Sequence, residues 1–120
     1  MNLNLLPSEE IIISETYTFR SQKVMIDADL AKLYGVETKQ LKQQVKRNIE
    51  RFPKEFMFEL TENKFSILRS QIGTSSWGGT RYLPLAFTEH NILMLSSVLN
   101  SETATQVNIQ IIKVFIKFRE

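Results

Sequence analysis

The sequence predicts an α+β fold, and three observations carry that prediction. Residues 11–26 are rich in Ile, Val, Thr, Tyr and Phe, with Thr16, Thr18 and Arg20 alternating with Tyr17 and Phe19; this two-residue period belongs to a half-buried strand. Two stretches of helical period follow, parted by Gly35. Residues 101–120 then carry apolar side chains three and four apart, the spacing of a long amphipathic helix.

Taken in order, residues 1–10 read as an N-terminal extension and 11–120 as one domain. The first element is a β-hairpin, with Arg20-Ser-Gln-Lys23 as its turn and Val24-Met25-Ile26 closing the second strand. Asp27 is an expected N-cap, because its carboxylate can accept a first-turn amide. The helix it opens buries Leu30, Ala31, Leu33 and Tyr34 and stops at Gly35, which tolerates a left-handed backbone. A second helix is expected from Thr38 to about Arg51, ended by Pro53, with Leu41, Val45 and Ile49 as its core stripe. Met57-Phe-Glu-Leu60 reads as a short strand, and Thr61 as the cap of a helix carrying Phe65, Leu68 and Ile72. After the loop-like window Gly73–Thr80, residues 82–87 read as extended because Pro84 disfavours helix around it. Thr88 and Ser101 are expected N-caps of two further helices, the second running to the chain end.

Composition narrows the function. With 120 residues, 42% hydrophobic and 23% charged, the chain suits one packed core and no disordered or collagenous class. It has no cysteine, so it has neither disulfides nor thiolate metal ligands, and a reducing compartment is the default. Apolar runs such as Ile11-Ile12-Ile13 fall far short of the ~20 residues that span a bilayer, and the N-terminus lacks a signal-peptide pattern. A cytoplasmic protein without membrane contact is expected. His90 is the sole histidine, too little for a zinc site. Ser75, Ser76, Ser96 and Ser97 lack a histidine-carboxylate partnership, and no P-loop glycine signature occurs. The reading is therefore a non-enzyme with no catalytic residue, metal, cofactor or small-molecule substrate.

The distribution of charge is more informative than its sum. Between Glu37 and Lys54 six basic residues (Lys39, Lys42, Lys46, Arg47, Arg51, Lys54) face two acids (Glu37, Glu50), a local excess of +4 in a chain whose net charge is +2. Such a stripe attracts phosphate, and it also suits a plain solvated helix face. The run Asp29-Leu-Ala-Lys-Leu-Tyr-Gly-Val-Glu-Thr-Lys-Gln-Leu-Lys-Gln-Gln-Val45 has the shape of a helix-turn-helix: small Ala31 at the crossing, Gly35 in the turn, and Leu30, Tyr34, Val36 and Leu41 behind it. Polar Gln44, where that pattern usually has an apolar residue, is a departure that suggests a rotated or longer second helix. A helix about 10 Å across fits the DNA major groove. At 100° per residue, Lys39, Gln40, Gln43, Lys46, Arg47 and Glu50 point away from the core stripe. Gln40, Gln43 and Arg47 are candidate base readers, since Gln pairs with adenine and Arg with guanine through two bonds each. Lys39, Lys42, Lys46 and Arg51 are candidate phosphate anchors. Asn48 falls nearer the core and is expected to make a structural hydrogen bond.

The run Val24–Val36, then Val45-Lys-Arg-Asn-Ile-Glu-Arg-Phe-Pro53, Phe56–Leu60, Ser75-Ser-Trp-Gly-Gly79 with Arg81-Tyr82, Ala86-Phe-Thr-Glu89 and Leu95–Ser101 resembles the ORF6N domain of the KilA-N superfamily of phage and bacterial proteins. The resemblance covers roughly residues 11–120. It implies double-stranded DNA as partner and a role as a phage- or prophage-type regulator or antirepressor. Where the family carries a glycine after the first hairpin strand, this chain has Ser21, which suggests a changed turn.

Two further segments leave alternatives open. The Trp77–Arg81 loop reads either as a wing that brings Arg81 to phosphate or the minor groove, or as a loop packed down by Trp77 and Tyr82. In the last helix, Ala104, Val107, Ile111, Val114 and Phe118 form a coiled-coil-like seam beside a second stripe of Ile109, Ile112 and Ile116. Either the whole helix is buried, or one stripe faces a second subunit in a homodimer. The competing reading of the protein is an interaction module that captures a repressor or other partner without DNA contact.

Overall fold

The computed structural model describes residues 6–61, 63–64, 66 and 83–119. Residues 11–14, expected to begin a strand, belong instead to helix α1 (Glu9–Ser14). Ser8 accepts the Ile11 amide at 3.2 Å, and Glu9 and Glu10 occupy the first turn, where carboxylates meet the positive end of the helix dipole. These end effects outweigh the weak β preference of three isoleucines. Ile12 is fully buried, and Lys117 reaches Glu9 at 2.6 Å, so α1 lies within the packed body and crosses the boundary expected at residue 11.

The hairpin follows as β1 (Thr16–Phe19) and β2 (Gln22–Ile26), with Phe19 opposite Gln22. Its turn is the pair Arg20-Ser21, tighter than the expected four residues. Both carry positive φ, 53° and 64°, the backbone of a two-residue turn that matches the twist of the strands. Arg20 is held there by its guanidinium, 5.0 and 5.1 Å from the ring centres of Phe19 and Phe58, a cation–π pairing.

After β2 come α2 (Asp27–Tyr34), α3 (Thr38–Arg47), a single 3-10 turn (Ile49–Arg51) and β3 (Met57–Glu59). Next are β4 (Leu85–Thr88), α4 (Glu89–Leu99) and α5 (Glu102–Phe118). Among the described residues the strands form one antiparallel sheet in the order β1-β2-β4-β3. The α+β class is therefore as expected. Strand alternation sorts the core into two layers. Met25 and Phe87 pack with Leu30, Leu41, Ile92 and Ile111 of the helices, while Tyr17, Val24, Ile26 and Ala86 join Leu60 in a separate cluster.

A buried polar chain ties three helices together. The Tyr34 hydroxyl donates to Asn108 Oδ1, and Asn108 Nδ2 donates to the Ile92 carbonyl. Burial drives the Tyr34 pKa upward against the opposing effect of that hydrogen bond, so the phenol stays a donor. Of the expected caps, Ser101 accepts the Ala104 amide at 3.1 Å and Thr61 the Lys64 amide at 3.2 Å. Thr88 has the backbone of an N-cap, but its hydroxyl donates to the Phe56 carbonyl and makes no cap bond. The remainder of the helix expected after Thr61 and the Gly73–Thr80 loop lie outside the described residues.

Helix α5 is apolar on two sides. Ala104, Val107, Ile111 and Val114 are buried, while Phe118 ends that seam at the surface. Ile109 and Ile116 of the second stripe are 49% and 43% exposed, so full burial of the helix is ruled out. Among the described residues no helix is long and apolar enough to cross a membrane.

Candidate nucleic-acid interface

Helix α2 ends at Gly35, whose φ of 74° and ψ of 30° are left-handed. The Gly35 amide bonds the Lys32 carbonyl at 3.2 Å and the Val36 amide bonds that of Ala31 at 3.0 Å. This paired closure satisfies carbonyls that a helix end leaves open, and Val36 packs onto the core cluster beside Ala31. The chain then re-enters a helix at Thr38, where the Glu37 amide donates to Gln40 Oε1 at 3.2 Å. Leu41 and Val45 are buried against α2 and the core.

The helix is shorter than expected. It stops at Arg47, and Asn48 takes the C-cap, its side chain donating to the Gln44 carbonyl at 2.8 Å. The backbone then tightens into the 3-10 turn, which rotates Ile49 off the expected core stripe and leaves it 53% exposed. Arg51 consequently sits on that turn and not on α3, with Nη1 3.3 Å from Ser97 Oγ.

Asp27 is the pivot of the region. It is the first residue of α2, and Ile26 holds the cap position assigned to it from the sequence. Its side chain is 2% exposed. Oδ1 accepts the Ala28 amide at 2.7 Å and Oδ2 the Leu85 amide at 3.0 Å, and Oδ2 lies 3.2 Å from Lys42 Nζ. Lys42 also donates to the Leu83 carbonyl at 3.2 Å. One carboxylate and one ammonium thus hold α2, α3 and the start of β4 in register. Sequence periodicity placed Lys42 on the flank of α3, but the partner buried beneath it lies in another helix.

A second acidic group was not anticipated. Asp29 and Glu15 are partly buried near Lys32, and desolvation raises both carboxyl pKa values. For Asp29 the charges of Glu15 and Asp27 add to desolvation and Lys32 opposes them, pushing it up to about 7. Alternation and helix phase carry no signal for such a cluster, because Glu15 lies before the hairpin and Asp29 after it.

The outer face of α3 is different. Lys39, Gln40, Gln43, Lys46 and Arg47 are all exposed. Lys39, Gln43 and Lys46 fall within about 60° of one another around the helix axis. Among the described residues no acidic side chain makes an ion pair with Lys39, Lys46 or Arg47. Gln40 is the member with a competing duty, since its Oε1 serves the cap of its own helix. Arg81 and the Trp77–Arg81 loop lie outside the described residues. Beside α3 runs a groove of about 340 Å³ between Lys42, Lys46 and Ile49 on one side and Met57, Leu83 and Leu85 on the other. His90 lies against Phe56, with 4.6 Å between ring centres and the rings tilted by 38°, and lines a pocket with Lys23, Phe115 and Phe118. Among the described residues no group of three or more His, Cys, Asp or Glu is arranged to hold a metal ion.

The site is thus a pair of consecutive helices closed by a left-handed glycine, the second with basic and amide side chains on its outer face, carried on an α+β scaffold. The sequence profile of the ORF6N domain matches residues 14–98, and the chain belongs to that family. The match is consistent with a phage-type regulatory domain. No curated protein and no solved structure matches the chain.

Proposed function

We propose that the protein is the DNA-binding domain of a phage- or prophage-type regulator or antirepressor and that α3 enters the major groove. The observation that carries this reading is the outer face of α3. Four side chains with the chemistry of DNA contact, Lys39, Gln43, Lys46 and Arg47, are exposed together on a helix whose opposite side is anchored in the core. A rigid mount matters, because a reader held loosely loses the bidentate geometry that discriminates bases. Gln43 and Arg47 are the base readers in this reading, with Gln40 secondary because its carbonyl oxygen is engaged. Lys39 and Lys46 anchor phosphate, with Arg51 beside them on the following turn. Lys42 is assigned to holding the helix in place and not to DNA.

Selection from randomised duplexes, followed by fluorescence anisotropy on the enriched sequence, tests the proposal. Enrichment of a defined site is expected, and Gln43→Ala should relax one base preference by roughly 1–3 kcal/mol. Absence of duplex binding even at low salt would sink it.

The second reading, a protein-interaction module, draws support from the groove beside α3, whose rim carries exposed Ile49 and Leu83. Apolar side chains of this kind serve as anchors at protein interfaces. Ile49→Lys separates the readings: it would abolish capture of an apolar partner while leaving duplex binding intact or tighter.

A further inference from the structure

We propose that the outward stripe of α5 is a self-association seam on which a second copy of this chain docks with its α5 antiparallel. The inference is independent of the DNA reading. Starting at the first residue of α5, Glu102, Thr105, Ile109, Ile112, Ile116 and the C-cap residue Arg119 follow one another at spacings of three and four. That is the alternation of a two-helix seam. None of the six is buried, and Ile109 and Ile116 are close to half exposed. Arg119 retains helical backbone angles, so it keeps the phase of the seam. The inner stripe of the same helix already fills the core, while Ile109 and Ile116 in the apolar middle of this one stay open to solvent. A shallow groove of about 290 Å³ between Leu93 of α4 and Ile109, Ile112 and Lys113 of α5 runs beside it.

Charge selects the occupant and its direction. The seam is acidic at its start, apolar in the middle and basic at its end. Laid antiparallel about a point between Ile109 and Ile112, two copies pair Glu102 with Arg119 at both ends, Thr105 with Ile116, and Ile109 with Ile112. Every layer then matches one heptad position with its complement. A parallel pair would instead set Glu102 against Glu102 and Arg119 against Arg119, and like charges in contact oppose association. Arg119 also pairs with Glu89 of its own chain, so in the dimer it bridges two carboxylates. The arrangement is isologous, the commonest closed symmetry of soluble oligomers.

The absence of cysteine makes the register directly measurable on the full chain. Thr105→Cys and Ile116→Cys chains, mixed under mild oxidation, should give a disulfide-linked dimer. Neither alone should do so, because in the antiparallel pair the two copies of residue 105 lie about 16 Å apart along the axis. Sedimentation equilibrium of the unmodified chain should show a monomer–dimer equilibrium, abolished by Ile112→Glu. Glu102→Arg, at an exposed site in the first turn, should weaken dimerisation several-fold at low salt. A chain that stays monomeric to millimolar concentration, self-linking of Thr105→Cys alone, or a Glu102→Arg chain that dimerises as tightly as the parent would each overturn the proposal.

Discussion

Lys42 and Lys46 are the same residue one turn apart on α3, yet they belong to different regions of the molecule. The first turns inward, 3.2 Å from a carboxylate that is 2% exposed, and the second stands on the exposed outer face. The contrast shows that a basic stripe in sequence is not a count of binding charges. Six basic residues between positions 37 and 54 resolve into one that builds the scaffold, several that face solvent, and Arg51, which leans on Ser97. The acidic side repeats the lesson. Asp27 is held by Lys42 and two amides, whereas Asp29 is desolvated among like charges and pushed up to about 7.

Breaking the inward pair should have the largest effect. Lys42→Ala leaves the Asp27 carboxylate buried with only its amide partners, and a loss of about 2–3 kcal/mol in chemical denaturation is expected. A loss below about 0.5 kcal/mol would mean that the pair contributes no more than a surface ion pair.

Asp29 tests the acidic half of the contrast. Its folded-state pKa lies above the ordinary 3.8, so between about pH 4 and pH 7 the folded protein keeps a proton that the unfolded chain has lost. Stability from this group is full below about pH 4 and falls as pH rises to about 7. Asp29→Asn should flatten that fall and raise stability at pH 8 by roughly 1–2 kcal/mol. Thermal melts of both proteins across this range check the sign.

Gly35→Ala probes the turn that sets α3 against α2. A methyl there meets no atom within 4 Å, so the cost is the left-handed backbone alone, about 1–2 kcal/mol in unfolding free energy. At Ser21 the same strain is already present, with φ of 64°, and Ser21→Gly should stabilise the hairpin by up to about 1 kcal/mol.

Much of this architecture was legible in the sequence because it depends on local signals. The alternation in 16–19 marked β1, Gly35 marked the end of α2, and the three-four spacing of residues 104–114 marked the buried side of α5. Features set by a close local choice between two backbones, or by contacts between separate elements, were not legible. The three isoleucines at 11–13 carry no period long enough to separate strand from helix, and their capping at Ser8 decided it. Ile49 continues the phase of Leu41 and Val45 in an ideal helix, and only the change to a 3-10 turn after Asn48 moves it to the surface. The outer face of α3 was readable from phase alone. Lys42 was not, because nothing near it in sequence announces that Asp27 lies beneath.

The smallest expected change in stability accompanies the most direct test of function. Lys46→Ala removes an exposed charge and should alter unfolding free energy by less than about 0.5 kcal/mol. In duplex binding followed by anisotropy across a salt series, log K should fall linearly with log salt, and Lys46→Ala should lower the magnitude of that slope by about 0.9. An unchanged slope, or no binding by the parent protein at any salt, would contradict the assignment of the outer face of α3 to DNA.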